Sequence, residues 1–245
     1  SLKSDNKKEF LSILLSSFNQ ILYLTLPISA LLIVLRIPLV RLFYGASRFD
    51  WEATVETGLT LAYFSIAITA NAVIALLSRA FYAFKDAKTP FIITLITVAF
   101  NVVLSYVLIL QNSLPINYLA FSFSIASIMG VVMMGVMLNK KIDLPKLDII
   151  LSFLKIFIST IVMGVAVYVP IKLLDQLVFD TTRTINLLIL TGIASSIGFV
   201  TYVFFTWLFD IKEAYYIIAV LKKFGNKDKI LKQVEELISG TKLNT

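Results

Sequence analysis

The 245-residue chain contains no cysteine and no histidine. Their absence removes thiol catalysis, disulfides, haem ligation and most zinc sites together. Any site must therefore be built from carboxylates, lysine, arginine, amides, hydroxyls and aromatic rings. Charge is scarce as well: Asp, Glu, Lys and Arg make up 15% of the residues, hydrophobic residues 58%, and the mean hydropathy is +0.89. That lies far outside the composition of an ordinary soluble domain, and the chain reads as an all-α polytopic membrane protein. No acid falls within a long apolar run, metal-ligand spacing is missing and there is no Walker motif. The expected class is transporter or scaffold, not enzyme. The formal charge of +7 does not call for nucleic acid, because lysines flanking membrane segments account for it.

What is present is a series of apolar runs of membrane-spanning length, which needs about 20 residues in a helix. They cover residues 11–35, 57–77, 91–110, 118–138, 149–169 and 185–209. Open strands would leave their edge amides unsatisfied in lipid, so helices are expected despite the abundance of Ile and Val. The chain opens with Ser-Leu-Lys-Ser, has no Met before Met129 and shows no cleavable signal pattern at its start. It is expected to be the C-terminal part of something longer.

The connectors set an expected orientation. With the N-terminus inside, sixteen basic residues fall on the inner side, among them Lys7, Lys85, Lys88, Lys140, Lys141 and seven in the tail, against five outside. The outer five, Arg36, Arg41, Arg48, Lys172 and Arg183, are accompanied by the acids Asp50, Glu52, Glu56, Asp175 and Asp180. This positive-inside bias places both ends of the chain in the cytoplasm, with Lys155 snorkelling to the inner interface. Residues 36–45 read as an interfacial turn on the outer surface, with Tyr44 and Trp51 in the aromatic belt.

Inside the runs, polar residues are few. Pro27 should kink the first helix. Asn19, Gln20, Asn71 and Asn101, with Ser105 near the last, fall at similar depth in the inner half. They either brace helices through hydrogen bonds or line a watered cavity. Ser122, Ser124, Ser127, Gly130 and Gly135 read as close-packing positions in the fourth helix. Thr191, Ser195 and Gly198 recur at spacings of four and three, one narrow face that suits either a helix seam or a lipid chain. The connector at residues 139–148, with Pro145, divides the chain into a four-helix unit, 1–139, and a two-helix extension, 140–209. Residues 210–245 read as a cytoplasmic tail of two amphipathic helices, 212–224 and 228–238, lying on the anionic inner leaflet.

The cytoplasmic hinge at residues 79–90 reads R-A-F-Y-A-F-K-D-A-K-T-P, with Arg79, Phe81, Tyr82, Asp86, Thr89 and Pro90 as its marked positions. Asp86 can cap the following helix or pair with Lys85 or Lys88. This stretch resembles the signature of the MurJ/MviN family of bacterial lipid II flippases. L-P-I-S-A at residues 26–30 and I-P-L-V-R-L-F-Y-G-A-S-R-F-D at residues 37–50 resemble the same family's ninth helix and outer loop.

The resemblance implies a fourteen-helix, two-lobe transporter of the MATE-like MOP superfamily, of which these six helices would be the ninth to the fourteenth. It implies alternating access that carries polyprenyl-linked lipid II from the inner to the outer leaflet of the bacterial inner membrane, with the N-terminal half of the same transporter as partner. Asn19, Gln20, Asn71, Asn101 and Ser105 would line or brace the cavity. Thr191, Ser195 and Gly198 would contact the lipid tail. No cofactor or metal is implied beyond a coupling ion such as sodium, or a membrane-potential drive, and no carboxylate accompanies Asn101 and Ser105 to complete a sodium site. Rival readings are an exporter of another polyprenyl-linked glycan, a MATE-like drug antiporter, or a membrane scaffold for cell-wall enzymes.

Overall fold

Seven helices run through the structure, a computed structural model that describes residues 4–44, 50–177 and 184–215. They are α1 (Ser4–Val34), α2 (Arg36–Tyr44), α3 (Trp51–Ala83), α4 (Lys88–Tyr106), α5 (Tyr118–Ile142), α6 (Lys146–Leu177) and α7 (Thr184–Leu208), and a π-helical stretch at Val107–Gln111 extends α4. Among the described residues there is no strand. Six helices are long and apolar enough to cross a membrane, within Lys7–Val34, Trp51–Ala83, Lys88–Gln111, Tyr118–Ile142, Lys146–Lys172 and Ile185–Leu208. Each contains most of one expected apolar run. Most also continue past it into polar flanks, because a helix keeps its backbone bonds satisfied after it leaves hydrocarbon.

The expected outer turn is a correction: residues 36–44 form a helix of their own. Pro38 lacks an N–H and cannot bond the carbonyl of Val34, so the helix bends there instead of ending. Leu35 N–H still reaches the Leu31 carbonyl at 2.8 Å and Leu39 N–H the Leu35 carbonyl at 2.9 Å.

The helices pack as a row. α4 lies against α5, α5 against α3, α3 against α1, α1 against α6, and α6 against α7. α1 therefore joins the hairpin-like unit of α3 to α5 to the pair α6 and α7. The small residues of α5 make its close contacts: Ser122, Ser124, Ser127 and Gly130 are all buried, whereas a side chain at Gly135 would meet nothing. α4 is different in kind, burying only Pro90 and Ile93, so most of its apolar surface is left uncovered by the described residues.

The junction of α1 with α7 follows from Pro27. A proline at position 27 deprives the Tyr23 carbonyl of its usual donor four residues on. Tyr202 of α7 supplies the replacement, its hydroxyl donating to that carbonyl at 2.8 Å. The Thr206 hydroxyl donates to the Tyr202 carbonyl at 2.8 Å. The Tyr23 hydroxyl, 3.2 Å from Thr206 Oγ1, is then the donor in that pair. The two tyrosine rings lie 5.1 Å apart, and all three side chains are buried.

Candidate functional site

The hinge between α3 and α4 is built around one carboxylate. α3 closes with Asp86 N–H on the Phe81 carbonyl at 3.1 Å and Lys85 N–H on the Tyr82 carbonyl at 2.9 Å. This helix stop usually employs glycine, because the residue before the last donor must take positive φ. Here Lys85 takes it, at φ 56°. Asp86 then starts α4, accepting the Thr89 N–H at 3.0 Å and the Thr89 hydroxyl at 2.6 Å. Pro90 sits in the first turn of α4, where a missing N–H costs nothing.

The ion partner of Asp86 is neither Lys85 nor Lys88 but Lys141, at the far end of α5. Lys141 also lies 5.3 Å from the ring centre of Phe81, which is fully buried. The hydrogen bond from Lys141, and then those from Thr89, hold the Asp86 carboxyl well below the usual carboxylate range. Phe84 meets Phe10 of α1 edge-on at 5.1 Å. The elbow thus ties four helices together, while Arg79 and Tyr82 remain exposed. Lys141 was legible only as one more basic residue on the hinge side; its pairing depends on α5 returning to that end.

Two of the expected polar residues share a cavity. Asn71 and Asn101, with Thr94, Thr97, Ser127 and Gly130, line a space of about 230 Å³ between α3, α4 and α5. Asn71 donates to the Ala67 carbonyl at 2.9 Å and to Ser127 at 3.3 Å. On the other wall Asn101 Oδ1 accepts from Ser122 at 3.0 Å, and Ser105 and Ser122 lie 2.6 Å apart. Ser105 also reaches Asn101 Oδ1 at 3.4 Å. This group pins α4 to α5. Its oxygens are neutral and turned on one another, and no carboxylate joins them. Among the described residues no group of three Asp, Glu, His or Cys side chains could hold a metal ion. The residues present do not fit a cation site by themselves.

Asn19 and Gln20 do not reach that cavity. Asn19 lines a separate recess of about 110 Å³ at the hinge end, with Ser152, Lys155, Asp210, Lys212 and Glu213. Gln20 is exposed and donates to Ser16 at 3.4 Å. Lys155 donates to the Phe209 carbonyl at 3.0 Å and so caps the end of α7.

Of the face formed by Thr191, Ser195 and Gly198, the end at Gly198 is a helix seam. A Cβ on Gly198 would come within 2.3 Å of Val167 Cγ2, so α6 already fills the space. Thr191 is buried, and the hydroxyls of Thr191 and Ser195 turn back on their own helix, onto the carbonyls of Leu187 and Thr191 at 2.7 Å each. The expected amphipathic tail, 212–224 and 228–238, lies almost wholly outside the described residues, which end at Tyr215.

A family model described as lipid II flippase MurJ matches residues 1–188. The chain belongs to the MurJ family. Relatives include the probable lipid II flippase MurJ of Rhizobium meliloti, 30% identical over 81% of this chain and 38% of that protein. That of Thermotoga maritima is 29% identical over 85% of this chain and 38% of its own length. The lipid II flippase MurJ of Thermosipho africanus is 29% identical over 67% of this chain and 33% of that protein. Among solved structures, a lipid II flippase MurJ in an inward closed conformation aligns with a TM-score of 0.67 at 26% identity. That alignment covers 84% of this chain and 40% of that one. The chain spans little more than a third of the length of these MurJ proteins. Its six spanning helices are one part of a MOP-superfamily transporter fold.

Proposed function

We propose that this chain is the C-terminal part of a transporter that moves lipid II from the inner to the outer leaflet by alternating access. The observation that carries the reading is the family match over residues 1–188, joined by the agreement in fold with a MurJ structure. Passing a pyrophosphate-linked sugar directly through hydrocarbon costs several kcal/mol or more per unpaired charge. Two lobes rocking about a hydrated cavity avoid that cost while the polyprenyl tail stays in lipid. Four helices, α1 and α3 to α5, supply one lobe, and the N-terminal half of the transporter faces them. The largely uncovered surface of α4 and the Asn71 and Asn101 cavity beside it suit such a partner.

In this reading the chain acts without catalysis and without a cofactor. The charge that a coupling ion requires comes from outside the Asn101, Ser105 and Ser122 group. The protein lies in the bacterial inner membrane with the hinge end cytoplasmic, and the basic tail rests on anionic lipids of the inner leaflet. Asp86 and Lys141 hold the elbow rigid, so α3, α4 and α5 move as one body. The test is complementation: the full-length protein restores growth to cells depleted of their own lipid II flippase. Failure of a stably inserted protein to restore growth would overturn the reading. Single cysteines at Lys85 and Asn112, introduced into a full-length protein from which any other cysteine has been removed, test the sidedness. An impermeant thiol reagent applied to intact cells labels position 112 and spares position 85; the reverse pattern would invert the topology.

A further inference from the structure

At the end opposite the hinge, α2 packs against α3, α7 and α1, and together with α6 these helices line a cleft of about 280 Å³. Its floor is apolar, from Val34, Pro38, Ile171, Leu187 and Leu190, and its rim carries Arg36, Arg41, Trp51 and Tyr168. Lys172 stands 6.0 Å from the ring centre of Tyr168, and the Arg41 guanidinium 5.8 Å from that of Trp51. Trp51 and Tyr168 are more than half exposed, as residues of a membrane-interface belt are.

Among the described residues no carboxylate pairs with any of these three cations. The salt bridge that is present there, Lys141 with Asp86, lies at the other end of the bundle. Arg36 gives one bond, from Nη1 to the Ile33 carbonyl at 3.0 Å, which fixes the side chain and leaves most of its five donors unused. A free anion would use the arginines and leave the apolar floor wet. An uncharged lipid would cover the floor and leave the guanidinium groups unpaired. A phosphate that carries an acyl chain satisfies both, and guanidinium forks match phosphate oxygens in pairs.

We propose that this cleft binds one anionic glycerophospholipid, its phosphate held by Arg36 and Arg41 with Lys172 close by, and one acyl chain laid on the half-buried Val34, Ile37 and Ile171. The site needs only that this end of the bundle meet a lipid interface, so it stands or falls separately from lipid II transport.

Trp51 at the rim provides the probe. The full-length protein is reconstituted in phosphatidylethanolamine vesicles containing either brominated phosphatidylglycerol or brominated phosphatidylethanolamine at the same mole fraction. The emission due to Trp51 is obtained by subtracting that of the Trp51→Phe protein. Brominated phosphatidylglycerol quenches it several-fold more effectively. The double change Arg36→Gln with Arg41→Gln brings quenching down to the phosphatidylethanolamine level, while Arg36→Lys with Arg41→Lys retains part of the preference. Equal quenching by the two lipids, or a preference that survives in the double Gln protein, would overturn the proposal. Relief of quenching by millimolar inorganic phosphate would reduce the site to an anion site, and relief by trace polyprenyl phosphate would assign it to a different lipid. Either result would sink the phospholipid assignment.

Discussion

Replacing Tyr202 with Phe takes one oxygen out of the junction between α1 and α7 and leaves the Tyr23 carbonyl without the donor that stands in for the missing amide of Pro27. Tyr202 is 2% exposed and Thr206 0%, so water cannot fill the place without opening the seam. Leaving a buried carbonyl unsatisfied costs about 1–3 kcal/mol. In a Pro27→Ala protein the amide at position 27 returns to the Tyr23 carbonyl, and the same Tyr202→Phe change removes only a surplus bond, worth about 0.6 kcal/mol in a membrane bundle. The two changes are therefore coupled, with an interaction of about 1 kcal/mol. Reversible unfolding of the full-length protein and its three variants in mixed micelles measures the cycle. Equal costs for Tyr202→Phe in the native and the Pro27→Ala backgrounds would refute the argument that the tyrosine repairs the proline.

Other substitutions probe the remaining joints. Gly198→Ala forces a methyl to within 2.3 Å of Val167 Cγ2 and should destabilise by about 1–3 kcal/mol; Val167→Ala in the same protein restores most of the loss, read by the same unfolding assay. Lys85→Gly relieves the positive φ at the hinge and should stabilise by about 1 kcal/mol, visible as a raised unfolding midpoint. Asp86→Ala, which loses both the cap and the Lys141 pair, should destabilise more than Asp86→Asn, which keeps a capping side chain. Because the Asp86 carboxyl is held below its ordinary range in the folded protein, its stabilisation is complete above about pH 4. It is lost as the pH falls from there toward the folded-state value. The stability gap between the native protein and Asp86→Asn should therefore narrow in acid, and a gap that widens would contradict the assigned pairing.

Most of the membrane architecture was legible because hydrocarbon leaves so few choices: an apolar run of about 20 residues must be a helix. The hinge was legible for a similar reason, since charge and Thr-Pro cannot continue through lipid between two such runs. What stayed hidden depends on which helices meet. Pro27 announced a freed carbonyl, yet nothing local names Tyr202 as its donor 179 residues on. Asp86 offered Lys85 and Lys88 as neighbours, and only the return of α5 brings Lys141 to it. Gly198 lies where α6 comes close, but a small-residue face looks the same in sequence whether a lipid chain or a helix fills it. Asn19 and Gln20 matched Asn71 in depth along the bundle, and depth says nothing about which side of a helix faces the cavity. The short helix α2 was hidden by Pro38, whose effect is a bend because the turn before it keeps its bonds.

The central claim is that these helices work as part of a lipid II transporter, and the direct measurement is lipid II itself on the outer face of the membrane. Cells depleted of their own flippase and supplied with the full-length protein should expose lipid II to an externally added enzyme or binding probe at the rate of undepleted cells. Changing Phe81, Tyr82 and Asp86 together to Ala should abolish that exposure while the protein remains inserted. Normal exposure in the triple variant would contradict the role of the elbow, and no exposure with the intact, inserted full-length protein would contradict the account as a whole.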